Sequence, residues 1–215
     1  MTKGARAASM EAAETALVGQ ALRIGFLASN NGSTLRAVIS KIDAGRLAAV
    51  PVLVVSNKDS APAIAFAREA GVPTRVIPTV RDPVEADRLL HDALCAAAAN
   101  LVVLSGYLRK LGPTTLRTFE KRILNTHPAL LPRFGGTGMY GRRVHEAVLA
   151  ARVQETGATI HLVDGEYDQG AIVAQRRVRI PSGVGVEALE KLVLAAEQSL
   201  MLDTLEKIAA GEIRL

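Results

Sequence analysis

Three polar side chains in the chain are of types that could do chemistry together: Asn125, His127 and Asp168. Asn125 and His127 are two residues apart in the stretch RILNTHPALLP, and side chains at i and i+2 share one face of an extended strand. Pro128 favours an extended conformation at His127 and marks the end of that strand. An amide and an imidazolium can both donate hydrogen bonds to a developing oxyanion. The same spacing also allows a strand-end Asn beside a structural, buried His.

A carboxylate follows the next predicted strand. The stretch TGATIHLVDGEYDQGAIVAQ places His161 on that strand and three acidic residues, the last of them Asp168, in the turn after it. A carboxylate close to His127 would raise the pKa of the imidazole and hold its charged form. Spacing alone does not show that Asp168 reaches His127, and an acidic β-turn explains the three carboxylates equally well.

A turn that could bind an anion lies between the first predicted strand and the first predicted helix. The stretch FLASNNGSTLRAV places Gly32, Ser33 and Thr34 where backbone N–H groups and the positive end of a helix meet ligands in open parallel sheets. The pattern is neither G-x-G-x-x-G nor a Walker loop, so a dinucleotide cofactor is not expected. An ordinary Asn/Gly turn with a serine cap accounts for it equally well.

The basic charge of the chain is local. The 215 residues include 26 Lys and Arg against 21 Asp and Glu, a net charge of +5. Residues 101–150 hold eight basic and two acidic side chains, so this segment carries more than the whole excess. That concentration favours a site for an anion, although a solvated basic face remains an alternative. Aromatic residues make up 3% and Trp is absent, which leaves few platforms for stacking nucleic-acid bases.

The elements that must position these residues alternate between strands and helices. Continuous Val/Leu/Ile runs separated by helices predict one α/β domain with a mostly parallel central sheet covered on both faces. Residues 1–22 are expected to be a flexible leader and 23–215 the domain. The most apolar run is far shorter than the roughly 20 residues of a membrane span, so a cytoplasmic protein is expected. Cys95, the single cysteine, excludes an intrachain disulfide and is expected to be a small buried side chain. The predicted strands are 23–29, 51–57, 72–78, 101–106, 122–127, 157–163 and 171–180, and the predicted helices 34–45, 61–71, 83–99, 113–122, 143–151 and 186–211.

With these motifs in view, the sequence from about Arg23 to Leu205 resembles the folate-dependent formyltransferases. The most specific matches are NTHPALLP, beginning at Asn125, and DQGAI, beginning at Asp168. GMYGRRVHEAVL resembles one subset of that family, and SNNGSTLRA and SGYLRKLGP match more loosely. The resemblance implies a single-domain, Rossmann-like, three-layer α/β formyltransferase fold. It also implies a formyl donor, 10-formyltetrahydrofolate, an acceptor amine on 5-phosphoribosyl-glycinamide, and no metal.

The resemblance assigns the catalytic roles. Asn125 and His127 would stabilise the oxyanion of a tetrahedral intermediate, with His127 also taking part in proton transfer. Asp168 would keep His127 charged and position a water that relays the proton of the amine. His161 would support Asp168 or that water from the neighbouring strand.

Binding residues are implied in the same way, on two sides of the site. The acceptor phosphate would lie on Gly32, Ser33 and Thr34, and an acceptor hydroxyl on Glu197, which by itself would pass for an exposed helix residue. Arg122 would face one of the anionic ligands. On the donor side, Arg109 would pair with the glutamate carboxylate of the folate. The full set implied for the donor is Leu108, Arg109, Lys110, Leu111 and Asn125.

Three positions depart from the family pattern and leave the acceptor less certain than the donor. Thr34 stands where an Asn is common, Pro83 where an Arg often contacts the acceptor, and Lys110 where an apolar residue is usual. Arg81 or Arg88 could replace the missing Arg.

Three other functions remain alternatives. One is a sibling enzyme with the same donor and another amine, such as an amino sugar nucleotide or aminoacyl-tRNA. Another is a formyl-folate hydrolase, and the third a non-enzymatic anion- or nucleic-acid-binding module. Small-molecule substrates, with neither nucleic acid nor membrane as a partner, are expected for a monomer or homodimer.

Overall fold

A computed structural model describes residues 21–215, so residues 1–20 of the predicted leader lie outside the described part. The predicted strands and helices are all present, and the first strand begins one residue earlier than predicted. Within the described residues the elements are β1 (Leu22–Leu27), α1 (Ser33–Asp43), β2 (Ala49–Ser56), α2 (Pro62–Glu69), β3 (Thr74–Val76), α3 (Pro83–Ala96), β4 (Leu101–Leu104), α4 (Pro113–Thr118), β5 (Ile123–His127), α5 (Arg142–Ala150), β6 (Glu155–Leu162), β7 (Ile172–Arg179) and α6 (Val186–Ala209).

The strands form one seven-stranded sheet in the order β3-β2-β1-β4-β5-β6-β7. Strands β1 to β5 are parallel, whereas β6 pairs antiparallel with β5 and β7 antiparallel with β6. The prediction of a mostly parallel sheet is therefore confirmed. Strand β1 lies between β2 and β4, so the chain connections diverge on either side of it. Such a switch point opens a crevice at the carboxyl ends of the strands, where ligands bind.

Helices cover both faces of the sheet and give the three predicted layers. On one face, α1, α2 and α6 pack around buried side chains such as Phe26 and Leu35. On the other face, α3 and α4 pack against a second cluster that contains Leu94 and Phe119. Strands β1 and β4 are almost entirely apolar because both of their faces are covered.

Cys95 lies on the outer side of α3, so the prediction that it is buried was wrong. The buried face of this helix is formed by Ala86, Leu90 and Leu94, at positions i, i+4 and i+8. A residue next to Leu94 in sequence is rotated away from that face by about 100°. Its sulfur lies 3.5 Å from Nε2 of His91.

Helix α4 is anchored by a carboxylate from α3. The oxygens of Asp87 accept from the backbone N–H groups of Thr114 (2.7 Å) and Thr115 (3.0 Å), and the Thr115 hydroxyl donates to Oδ1 (2.7 Å). Asp87 is 6% exposed, and a Cβ on Gly112 would lie 2.3 Å from its carboxyl carbon. Burial by itself would raise the pKa of Asp87, but the hydrogen bonds from Thr115 and Thr114 outweigh it and lower the pKa. This contact fixes the start of α4, the helix that leads into β5.

We expect Asp87→Ala to lower the free energy of unfolding by about 2–4 kcal/mol, because two buried N–H groups lose their acceptor. Chemical denaturation monitored by circular dichroism measures the change. Because its folded pKa is depressed below 3.8, Asp87 contributes this stability above that pH and loses it as pH falls through the folded value. Asp92→Ala, an exposed position on the same helix, is the control and should cost about 1 kcal/mol or less. Equal losses for the two variants would contradict the anchoring role.

Candidate active site

Asn125 and His161 face each other across two strands. They are partners in the antiparallel register of β5 and β6, with Asn125 Nδ2 3.0 Å from His161 Nε2. His161 Nδ1 lies 2.8 Å from the Leu162 carbonyl oxygen, which can only accept. The proton of neutral His161 is therefore on Nδ1, and Nε2 accepts from the amide. This tautomer turns the NH2 group of Asn125 towards His161 and leaves its second N–H for another acceptor.

The imidazole of His127 is held at both nitrogens. Nε2 donates to the carbonyl oxygen of Phe134 (2.7 Å), and Nδ1 lies 3.4 Å from Asp168 Oδ2. His127 is 3% exposed. The structure thus brings Asp168 to His127 across 41 residues of chain, which spacing alone did not establish. Both ring nitrogens face protein acceptors, so the ring can hold a second proton without losing a hydrogen bond.

The pKa of His127 moves in the direction opposite to the prediction. Burial lowers it, because desolvation penalises the imidazolium, and the nearby carboxylate of Asp168 raises it only in part. The predicted attraction between the two groups is present, but the loss of solvation outweighs it. Burial also works against ionised Asp168, yet its contacts with His161 and His127 and the hydrogen bond from the Gly136 N–H outweigh burial and lower its pKa. Asp168 is therefore the charged member of the pair near neutral pH.

The turn after β6 is bent so that Asp168 points back at β5. Asp168 has a left-handed φ of 57°, unusual for a residue other than glycine. Its Oδ2 accepts from the Gly136 N–H at 2.9 Å, which links the turn to the glycine-rich loop before α5. A Cβ on Gly170 would lie 1.8 Å from the Leu162 carbonyl oxygen, so only glycine fits there. Gly170, the glycine of DQGAI, is therefore required for steric reasons. Its close approach to β6 helps to hold the turn that carries Asp168.

A cleft of about 470 Å³ opens beside this cluster, and Asn125, His161 and Asp168 form its inner end. Its walls are the β4–α4 loop and the β6–β7 turn. The apolar side chains along these walls are Leu104, Leu111, Leu116 and Val163. A largely apolar cleft with a few polar groups at one end is typical of a small-molecule site.

The structure places four of the five residues predicted for the donor in the lining of the cleft and one outside it. Arg109, Lys110, Leu111 and Asn125 line the cleft. Leu108 is 49% exposed and lies outside the lining, although its backbone N–H donates to the Ser29 hydroxyl at 2.9 Å. Tyr107 and Tyr167 both line the cleft, and burial raises the pKa of Tyr107 to about 12.

Arg122 lies outside the cleft. Its guanidinium donates to the Thr118 carbonyl oxygen at the end of α4 (2.5 Å) and covers the ring of Phe119, 5.4 Å from the centroid. The expectation that it faces an anionic ligand therefore has no support in this arrangement. Of the eight basic residues in 101–150, Arg109 and Lys110 are the two in the lining. The local excess of charge is thus spread over several surfaces.

The predicted anion loop has the geometry of an uncapped helix N-terminus. Gly32 has a φ of 63° and precedes α1 without capping it, and of the first turn the Leu35 N–H donates to the Ser105 hydroxyl at 3.0 Å. Ser33 is half-buried and Thr34 is 5% exposed. A Cβ on Gly32 would lie 2.9 Å from the Cβ of Ala63, so the backbone can approach this closely only with glycine. The first N–H groups of α1 are therefore a possible anion site.

Glu197 on α6 is half-buried, whereas the sequence alone suggested an exposed residue. The side chain of Gln198 reaches the Ser33 carbonyl oxygen at 3.4 Å, which places this part of α6 beside the anion loop. Burial raises the pKa of Glu197 to about 8, and the charge of Glu190, two turns earlier, adds to the shift. Glu197 is therefore mostly a neutral carboxyl at pH 7. No residue pattern in the sequence signals this.

The two arginines considered as replacements at the Pro83 position differ in their surroundings. Arg88 forms ion pairs with Glu85 (2.6 Å) and Asp92 (2.9 Å) on its own helix. Arg81 is exposed in the loop before α3. Pro83 occupies the first turn of α3, where its missing N–H costs nothing. Arg81 is thus the better placed of the two to meet a ligand.

Residues 21–215 offer neither a metal-binding cluster nor a membrane-spanning helix. No group of three or more His, Cys, Asp or Glu side chains in that range is arranged to hold a metal ion. No helix in that range is long and apolar enough to cross a membrane.

The doubly wound sheet and a polar cluster beside an apolar cleft at its carboxyl edge define an enzyme of the α/β class that acts on small molecules. A family model described as formyl transferase matches residues 22–205, and the chain belongs to this family. It is a formyl-transferring enzyme, and the family takes its formyl group from a folate donor.

Named relatives agree with this assignment. The chain is 37% identical over 195 residues to the chloroplastic phosphoribosylglycinamide formyltransferase of Arabidopsis thaliana, covering 89% of this chain and 67% of that protein. It is 32% identical over 195 residues to the phosphoribosylglycinamide formyltransferase of Haemophilus influenzae, covering 90% of each. The chain spans about two thirds of the length of the plant relatives. Glycinamide ribonucleotide transformylase 1 of Symbiobacterium toebii superimposes with a TM-score of 0.83 at 31% identity over 92% of both chains.

We expect the pKa of His127 to lie below 6.5 and to fall further in Asp168→Asn, because the substitution removes the charge that opposes desolvation. NMR titration of the imidazole resonances measures both values. Asp164→Asn, an exposed position in the same turn, is the control and should leave the pKa of His127 unchanged. A rise in Asp168→Asn would contradict this account of the pair.

We expect Glu197 to make the protein less stable as pH rises from 4.5 to about 8, since the unfolded state ionises in that interval while the folded state stays protonated. Glu197→Gln should remove that part of the pH dependence. Urea denaturation at pH 5, 6.5 and 8 measures it. The exposed Glu187→Gln on the same helix serves as the reference and should keep the wild-type slope. If the free energy of unfolding changes with pH in the same way in the wild type, Glu197→Gln and Glu187→Gln, then Glu197 is ionised at neutral pH.

Proposed function

We propose that the chain transfers the formyl group of 10-formyltetrahydrofolate to the primary amine of 5-phosphoribosyl-glycinamide, a step of de novo purine biosynthesis. The observation that carries the proposal is that Asn125 and Asp168 line the apolar cleft together, while His127 lies 3.4 Å from Asp168. The names of the Arabidopsis and Haemophilus relatives support the choice of acceptor.

The residues that line the cleft support a folate donor. Flat heterocycles need a narrow apolar site with polar groups at one end, and the cleft has Leu111 and Tyr107 on its walls and Asn125 at its end. Arg109 lies in the lining and provides a positive charge for a glutamate carboxylate. When bound, the donor supplies the formyl carbon beside Asn125. Side chains of the protein stabilise the developing charge and transfer the proton.

The acceptor is assigned to the anion loop and α6. The N–H groups of Ser33 and Thr34, with the close approach that Gly32 allows, suit a phosphate at the N-terminus of α1. Glu197 lies beside this loop through its neighbour Gln198. As a neutral carboxyl it can both donate to and accept from a sugar hydroxyl, which suits it to a ribose.

The catalytic side chains act on the charge that develops when the amine attacks the formyl carbon. Asn125 donates its second N–H to the oxygen of the tetrahedral intermediate, while His161 fixes the amide orientation. His127 takes up a proton at Nδ1, where Asp168 stabilises the resulting imidazolium. Proton transfer then runs from the attacking amine to the departing folate nitrogen, with Asp168 and His127 as the groups that accept and return it.

We expect Asn125→Ala and Asp168→Asn each to lower kcat by about 10²–10³-fold while the fold is kept, because each removes stabilisation of the transition state. Steady-state formyl transfer measures the effect, and circular dichroism checks the fold. Asp164→Asn is the matched control in the same turn and should retain wild-type turnover. Near-normal turnover of either site variant would remove that residue from the mechanism.

The acceptor is tested with 10-formyltetrahydrofolate and a panel of amines. Formylation of 5-phosphoribosyl-glycinamide with the highest kcat/KM is the expected result. Preference for an amino sugar nucleotide or an aminoacyl-tRNA would identify a sibling enzyme with the same donor. Release of formate without any amine would identify a hydrolase, and the absence of both reactions would refute the proposal.

A further inference from the structure

Strand β4 lies between the two sites that the proposed reaction needs. In the sheet it separates β1, which leads into the anion loop, from β5, which carries Asn125. Leu104, the last residue of β4, pairs with Asn125. The β4–α4 loop that follows forms one wall of the donor cleft. The position of the anion loop relative to Asn125 therefore depends on how firmly β1 and its loop are held to the end of β4.

A buried serine from each side crosses this boundary. The hydroxyl of Ser29, just before the anion loop, accepts from the Leu108 N–H in the β4–α4 loop at 2.9 Å. The hydroxyl of Ser105, directly after β4, accepts from the Leu35 N–H in the first turn of α1 at 3.0 Å. Each serine is 3% exposed. The two contacts run in opposite directions and form a two-serine bridge, Ser29 and Ser105, between the anion loop and the donor loop.

The main chain is joined at the base of the same two loops. The Ser29 N–H donates to the Gly106 carbonyl oxygen at 3.1 Å, and the Ser105 N–H donates to the Leu27 carbonyl oxygen at 2.8 Å. These bonds continue the pairing of β1 with β4 for one more step. The serine hydroxyls extend the connection beyond the sheet, to the donor loop and to α1. Loss of a hydroxyl should therefore leave the sheet intact and loosen the loop or helix that it holds.

Such a connection affects the reaction more than the binding of either substrate. Two reactants held at the right distance and angle react much faster than free ones, and a misplacement of about 1 Å can cost on the order of 10²-fold in rate. Both serines are buried, and each hydroxyl already accepts from an N–H group of the protein. They are therefore placed to orient the two sites rather than to bind a ligand.

We propose that Ser29 and Ser105 are positioning residues that fix the acceptor site relative to the donor site, so that the amine meets the formyl carbon beside Asn125. The inference rests on the proposed function, because it assigns the anion loop to the acceptor and the cleft to the donor. It adds the residues that hold the two sites in register.

The experiment compares Ser29→Ala and Ser105→Ala with the wild type. Single-turnover reactions, with enzyme in excess over 10-formyltetrahydrofolate and with saturating 5-phosphoribosyl-glycinamide, give the rate of formyl transfer. Isothermal titration calorimetry gives the Kd of 5-phosphoribosyl-glycinamide and of tetrahydrofolate, each titrated alone so that no reaction occurs. Circular dichroism and urea denaturation check the fold and its stability. The serines are changed separately, so either folded variant is sufficient for the test.

The control variant is Thr204→Val on α6. The Thr204 hydroxyl is buried and donates to the Leu200 carbonyl oxygen within the same helix at 2.7 Å. The variant thus removes a buried hydroxyl hydrogen bond that does not join the two loops, and it reports what a loss of stability alone does to the rate.

We expect each serine variant to transfer the formyl group about 5–20-fold more slowly, because the reacting atoms are less well aligned. The Kd of each substrate titrated alone should stay within about 2-fold of the wild type, since no group that contacts a ligand is removed. Thr204→Val should keep the wild-type rate.

Three results would overturn the inference. One is an unchanged transfer rate in the folded serine variants. Another is a Kd that rises by the same factor as the rate falls, which would make the serines determinants of affinity. The third is an equal loss of rate in Thr204→Val, which stability alone would explain. Absence of formyl transfer in the wild type would instead refute the proposed function, so the two failures are distinguishable.

Discussion

The site depends on the antiparallel pairing of β6 with β5. In this register β6 ends beside the start of β5, with Leu162 opposite Leu124, and the turn that follows bends back towards His127 at the carboxyl end of β5. The reversal places Asn125 opposite His161 and brings the turn that holds Asp168 back to the imidazole of His127. One change of strand direction thus converts two short motifs, far apart in sequence, into a single polar cluster.

Burial decides the charge states of His127 and Glu197. His127 loses more by desolvation than it gains from Asp168, so it rests neutral and becomes charged only when a proton is delivered to it. Glu197 lacks an opposite charge and stays protonated to about pH 8. A neutral imidazole beside an ionised carboxylate is suited to accept a proton from an amine. The deep position of these groups is therefore consistent with proton transfer as well as with electrostatic stabilisation.

The donor cleft balances apolar walls against a charged rim. Leucines and two tyrosines line its walls, while Arg109, Lys110 and Glu166 lie in the lining on the two wall segments. The net positive charge of the chain is thus only partly a property of this site, because Arg122 and other basic residues of the same segment are engaged elsewhere. The apolar walls offer contact area for a heterocycle, and the charged residues of the lining offer partners for an anionic group.

The sequence by itself determined the order and type of the elements, because apolar runs and Gly or Pro breaks are local signals. It also determined the pair formed by Asn125 and His127, since a period of two is a property of any strand. Only the tertiary structure decided that Asp168 reaches His127, that Arg122 donates to the end of α4 and that Glu197 is half-buried. It also decided the sign of the pKa shift of His127. Each of these depends on which groups pack around the residue in the folded protein. The spacing and composition of the sequence do not show how far a side chain is removed from water.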